Sequence, residues 1–145
     1  MESEAFDLAR FVTAQEPVQE AALAELTAGR KCSHWMWFVF PQLRGLGLSP
    51  TAHFYGLQSL DEARAYLAHP VLGARLEACT RAILGHEGLS AHAIFGSPDD
   101  MKLRSSMTLF DRADGRAGNP YRAALDRFFD GAGDPLTLDR LPGPA

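Results

Sequence analysis

The chain has 145 residues, 46% of them apolar and 22% charged, with a net charge of −4. That composition is globular and excludes a disordered or low-complexity chain. The mildly acidic balance, with no basic run beyond Arg30-Lys31, argues against a nucleic-acid partner. Cys32 and Cys79 form neither a CxxC nor a zinc-spaced Cys/His set, and no signal-peptide pattern follows the acidic start. The longest apolar run, Trp35 to Phe40, is too short to span a bilayer. These features point to a cytoplasmic chain with reduced thiols, no metal and no membrane partner.

In chain order, helical spacing and capping chemistry predict helices over 4–14, 18–28, 33–40, 50–56, 60–68, 71–84, 90–95, 98–112 and 120–130, with a short turn near 135–140. Val18, Ala22 and Leu26 make the stripe of the second, and Gly29 suits its exit. Ser49-Pro50, Ser97-Pro98 and Asn119-Pro120 each pair a capping side chain with proline at the first helical position. Ser59 and Glu62 have capping-box spacing, and Ser33 and Ser90 suit the starts of two shorter segments. Leu72, Leu76, Cys79 and Ile83 form a regular apolar face, as do Tyr121, Leu125 and Phe128. No alternating stretch is long enough to predict a strand, and neither repeat nor linker interrupts the chain. The expectation is all-α: a compact, single-domain bundle of about eight to ten short helices over 1–145, frayed from about 141.

The segment 32–42 holds both tryptophans of the protein, Trp35 and Trp37. As a helix it would be apolar on every side after His34, the mark of a central, buried helix that Pro41 ends. His34 would then lie in the first turn, where the helix dipole favours a neutral ring. A neutral imidazole serves as a base or ligand contact, and equally as a satisfied core histidine.

On the helix over 98–112, Leu103, Met107 and Phe110 define a core face. Ser106 falls within that face, Asp99 and Lys102 beside it, and Ser105 at its margin. Arg104, Thr108 and Asp111 point the other way, as a solvated face would. An inward-leaning Lys needs a partner. One solution is structural: Lys102 pairs with Asp99, and the serines bond to carbonyls of the preceding turn. The other is a polar pocket for an anionic or hydroxylated ligand. No phosphate loop, GxSxG, HExxH or EF-hand pattern is present.

The run Ser33-His34-Trp35-Met36-Trp37-Phe38-Val39-Phe40-Pro41-Gln42 with Gly45-Leu46-Gly47, the block from Ala65 to Gly73, and the block from Phe95 to Phe110 resemble a bacterial family known as domain of unknown function 1810. The resemblance runs from about Phe11 to about Leu138. It implies a small, compact, all-helical domain. Members often carry the label calpastatin, but a calpain inhibitor of that kind is a disordered repeat protein, and this chain is neither. Gln19 stands where the family pattern often has tyrosine. The family words fall on His34, Trp35, Trp37, Gln42, Lys102, Ser105 and Ser106, and so overlap the polar constellation.

Two functional readings follow. In the first, the chain binds or hydrolyses a small anionic metabolite such as a nucleotide or ADP-ribose-like molecule. His34 and Lys102 would be the catalytic pair, with Trp35, Trp37, Gln42, Asp99, Ser105 and Ser106 as ligand contacts and no cofactor. In the second, it is a non-catalytic protein-interaction module.

Overall fold

The computed structural model describes residues 6–141. Ten helices follow one another within them: α1 (Ala9–Gln15), α2 (Gln19–Thr27), α3 (Met36–Val39), α4 (Pro50–Tyr55), α5 (Leu60–Ala68), α6 (Leu72–Leu84), α7 (Ala91–Phe95), α8 (Asp99–Asp114), α9 (Pro120–Phe129) and α10 (Pro135–Arg140). Extended backbone pairs, among these residues, only in a parallel bridge between Leu43 and Leu57. The fold is all-α, and among the described residues no helix is long and apolar enough to cross a membrane.

Capping explains where five of these ten helices begin. Ser49, Ser59, Ser90 and Asn119 each accept the N–H three residues on, from Ala52, Glu62, Ala93 and Arg122. Asp134 does the same for α10, through Thr137. Each satisfies a donor that helix geometry leaves orphaned.

Three expected boundaries move. Residues 6–8 form a turn and α1 opens only at Ala9; positions 4 and 5, like the tail beyond 141, lie outside the described residues. Ser97 does not cap α8. Pro98 takes the capping position, and the carbonyls of Gly96 and Pro98 receive the N–H groups of Asp100, Met101 and Lys102, so no side chain is needed. The predicted helix over 33–40 shrinks to the single turn α3, because Ser33 and its neighbours are drawn elsewhere.

Helix α8 is the hub, packed against α5, α7, α9 and α10. Leu103, Met107 and Phe110 are fully buried on it, as their spacing implies. The supposed solvated face is covered as well. Thr108 is buried, accepting the N–H of Asp134 at 2.9 Å and donating to the carbonyl of Arg104 at 2.7 Å. Arg104 reaches the carbonyls of Ala132 and Gly133, and Asp111 accepts from Asn119 and Arg122. Arg104 and Thr108 satisfy the loop before α10, and Asp111 the start of α9, instead of water. Beside this hub, α6 buries Leu72, Leu76, Cys79 and Ile83 against α2, α5 and α9. Gly73 permits that approach: a Cβ there would come within 2.2 Å of the carbonyl oxygen of Leu67.

Candidate functional site

The aromatic segment is shaped by one carboxylate. Glu25, on α2, accepts the N–H of Cys32 at 2.7 Å, the N–H of Ser33 at 3.0 Å, the hydroxyl of Ser33, and Nε1 of Trp35 at 3.0 Å. Four donors on one side chain hold 32–35 in bends, and helical geometry begins only at Met36. His34 therefore precedes the helix and stands exposed, contrary to the expectation of a first-turn histidine.

Burial raises the Glu25 carboxyl, but the bonds from Ser33, Cys32 and Trp35 outweigh it and leave the pKa below its ordinary value of 4.5. A depressed carboxylate contributes stability that is fully present above that ordinary value and lost as pH falls through the lower folded one. Melting temperature followed through this acid range is expected to fall in the parent protein. Glu25→Gln, less stable at neutral pH, should show a flatter acid limb. Parallel acid limbs would mean that the carboxylate charge is not what these donors recognise.

Trp35 and Trp37 have different fates. Trp35 is completely buried. Lys31 lies over its ring with Nζ 5.0 Å from the centroid. Trp37 is half-buried, with Nζ of Lys102 4.9 Å from its centroid. Between the two lysines sits Asp99, 2.9 Å from Lys31 and 3.6 Å from Lys102. Two ammonium groups thus share one carboxylate, each resting on an indole face, an arrangement that suits cations. The Lys31 side chain is 8% exposed and holds the shorter ion pair; that of Lys102 is 26% exposed and holds the longer.

Lys102 borders a recess with Trp37, Gln42, Ala52, Tyr55 and Gly56, about 10 Å³ in volume. That is room for about one water molecule. The Leu43–Leu57 bridge builds its wall: Leu57 donates to the carbonyl of Gln42 at 2.9 Å, and Arg44 to that of Leu57 at 2.7 Å. Gly56 is required there, because a Cβ on it would lie 2.6 Å from Cα of Arg44.

Of the residues singled out in the sequence, Trp37, Gln42 and Lys102 meet at this recess, with Asp99 behind them. The others do not. Trp35 has no surface to offer a ligand, and His34 does not line the recess. Ser105 donates to the carbonyl of Met101 at 3.3 Å, while Ser106 is buried with its hydroxyl unpartnered. Neither serine lines the recess or bonds to Lys102. The remaining histidines stay apart: His69 accepts from Val71 and Leu72, His86 bonds the carbonyl of Leu26, and His92 meets Asp100. No group of three metal-ligating side chains gathers among the described residues. Sequence reasoning missed Glu25 and Lys31 as structural partners and Tyr55 and Gly56 as walls. Their connection to the site lies in contacts between separate elements, for which no local spacing is a signal.

The family described as protein of unknown function (DUF1810) matches residues 5–141. The crystal structure of the conserved hypothetical protein Rv1873 from Mycobacterium tuberculosis is similar at 54% sequence identity, covering 94% of this chain and 97% of that one, with a TM-score of 0.92. Among curated proteins none matches.

Proposed function

The chain belongs to the DUF1810 family, and from the side chains it brings together we propose that it binds a small anionic metabolite whose acidic group pairs with Lys102 beside Trp37 and Gln42. The observation that carries this is the half-exposed Lys102 ammonium. Its only carboxylate among the described residues lies at 3.6 Å and is already held by Lys31 at 2.9 Å. An incoming carboxylate or phosphate offers Lys102 a closer partner than that shared carboxylate, whose Oδ1 lies 3.6 Å away while Oδ2 pairs with Lys31. Trp37 presents an indole face to a planar group, and Gln42 an amide to a hydroxyl or carbonyl. The recess admits only about a water as it stands, so entry requires Lys102 to swing away from Trp37.

The finer form of the reading is a nucleotide or ADP-ribose-like ligand, with its planar ring on Trp37 and its phosphate on Lys102. A smaller carboxylate asks for less rearrangement. Hydrolysis has weaker support than binding, since His34 and both serines lie off the recess. An interaction module has its own supporting feature: Leu48 is 99% exposed and Phe54 51%, on the loop before α4 and on α4 itself.

The test is a thermal-shift panel of nucleotides, sugar phosphates and small carboxylates on the parent protein and on Lys102→Met. A ligand at about 100 times its Kd adds roughly 2.7 kcal/mol, several degrees for a domain of this size. Lys102→Met is expected to lose that shift while its own stability changes by about 1 kcal/mol or less, because its ion pair is long and partly exposed. Undiminished shifts in Lys102→Met would sink the reading. A panel with no shift at all would favour the interaction module.

A further inference from the structure

We propose a second anion site, distinct from the Lys102 recess, that takes a compact phosphate-bearing molecule in the cleft lined by Leu43 of the Leu43–Leu57 bridge. This cleft is about 530 Å³, within the range of small-molecule pockets, and three arginines line it: Arg44, Arg64 and Arg140. Its floor is apolar, from Leu43, Leu60 and Leu141. One carboxylate, Asp61, shares the lining, so three guanidinium groups face a single negative charge.

Those guanidinium groups are largely uncommitted. Arg140 makes no hydrogen bond or ion pair among the described residues. Arg44 uses only Nε, donating to the carbonyl of His53 at 3.0 Å, which leaves both terminal nitrogens. Arg64 has one contact, 3.5 Å to an Asp61 side chain that is 80% exposed, a pair that water competes for.

The backbone is shaped around the same groups. Gly45 has a φ of +100°, a conformation that disfavours any side chain, and a Cβ there would fall 2.9 Å from Nη1 of Arg140. A glycine at this place in the Gly45-Leu46-Gly47 run thus lets the Arg140 guanidinium lie against the chain. The first turn of α5, Ser59 to Asp61, borders the cleft too, adding the positive end of a nine-residue helix.

This set fits phosphate better than a single carboxylate. Each guanidinium carries several N–H donors in a planar fork, and a carboxylate has only two oxygens to receive them. A phosphate presents three terminal oxygens and up to two charges, which matches the excess of cations over Asp61.

Isothermal titration calorimetry of the full chain with inorganic pyrophosphate in metal-free buffer tests the proposal, with succinate at equal ionic strength as the phosphate-free comparison. The parent protein is expected to bind pyrophosphate more tightly than succinate. Arg140→Gln and Arg44→Gln should each weaken pyrophosphate by at least about tenfold. Arg81→Gln, on the exposed face of α6, should leave binding unchanged. All three arginines are at least partly exposed, so the folded state is expected to persist, and circular dichroism checks it. No pyrophosphate binding by the parent, or parent-like binding by folded Arg140→Gln and Arg44→Gln, overturns the second site. Loss in Lys102→Met alone would overturn it as well, assigning phosphate to the other recess.

Discussion

Trp35→Ala is expected to lower the stability of the folded chain by about 3–5 kcal/mol, the range for deleting a fully buried aromatic side chain. The Trp35 ring is 0% exposed, packs 6.2 Å from the Phe40 ring, lies under Lys31, and donates to Glu25 at 3.0 Å. Alanine would leave a cavity and remove one of the four donors that hold Glu25. Trp35→Phe separates these effects. Phenylalanine retains much of the volume but not the N–H, so the remaining loss of about 1–2 kcal/mol reflects the carboxylate's missing partner. Urea denaturation measures both, and the probe is built in: the chain has two tryptophans, so Trp37 becomes the one indole reporting. A loss below about 1 kcal/mol for the alanine variant would contradict close packing at this position.

The sequence is legible wherever the physics is local. Ser49, Ser59, Ser90 and Asn119 cap their helices because a capping oxygen and its N–H lie three residues apart. The α6 stripe is legible because one helical face repeats at fixed spacing. The failures share the opposite property. Residues 33–35 leave helical geometry for Glu25, eight to ten positions away from Ser33 and Trp35, and no periodicity encodes that. Thr108 reads as solvated because it is polar, yet its hydroxyl serves the N–H of Asp134, 26 residues later. Even the capping box is only half legible. Ser59 receives the N–H of Glu62 as expected, but the Glu62 carboxylate bonds the N–H of Gln58 at 2.7 Å instead of that of Ser59.

The candidate site divides in the same way. Unusual residues in two blocks of sequence, Trp37 with Gln42 and Lys102, do converge, while Ser105 and Ser106 do not. The wheel placed the serines near the core face correctly, but it could not show that the interior would close over them. The arginine cleft was out of reach, since Arg44, Arg64 and Arg140 come from three separate segments.

Glu62 leads to the other large effect, and it separates support of a site from contact with ligand. The Glu62 side chain is 1% exposed and that of Arg10 6%, and they pair at 3.0 Å. Arg10 also donates to the carbonyls of Phe54 at 2.8 Å and Gly56 at 3.1 Å, gripping the end of α4 and the wall of the Lys102 recess. Glu62→Ala strands a buried guanidinium, and about 3–5 kcal/mol of destabilisation is expected from that alone. Arg10→Met together with Glu62→Leu removes both charges and should cost less than the two single changes summed, which a double-mutant cycle would reveal as coupling. Additive losses would mean that the pair is not the source of the effect. Because the stranded Arg10 loosens Gly56, Glu62→Ala should also weaken any ligand of the recess without touching it. Lys102→Met should do the reverse, losing the ligand and keeping the fold. Opposite rankings of these two variants in stability and in binding are what distinguish a buried ion pair that shapes the recess from a half-exposed cation that serves it.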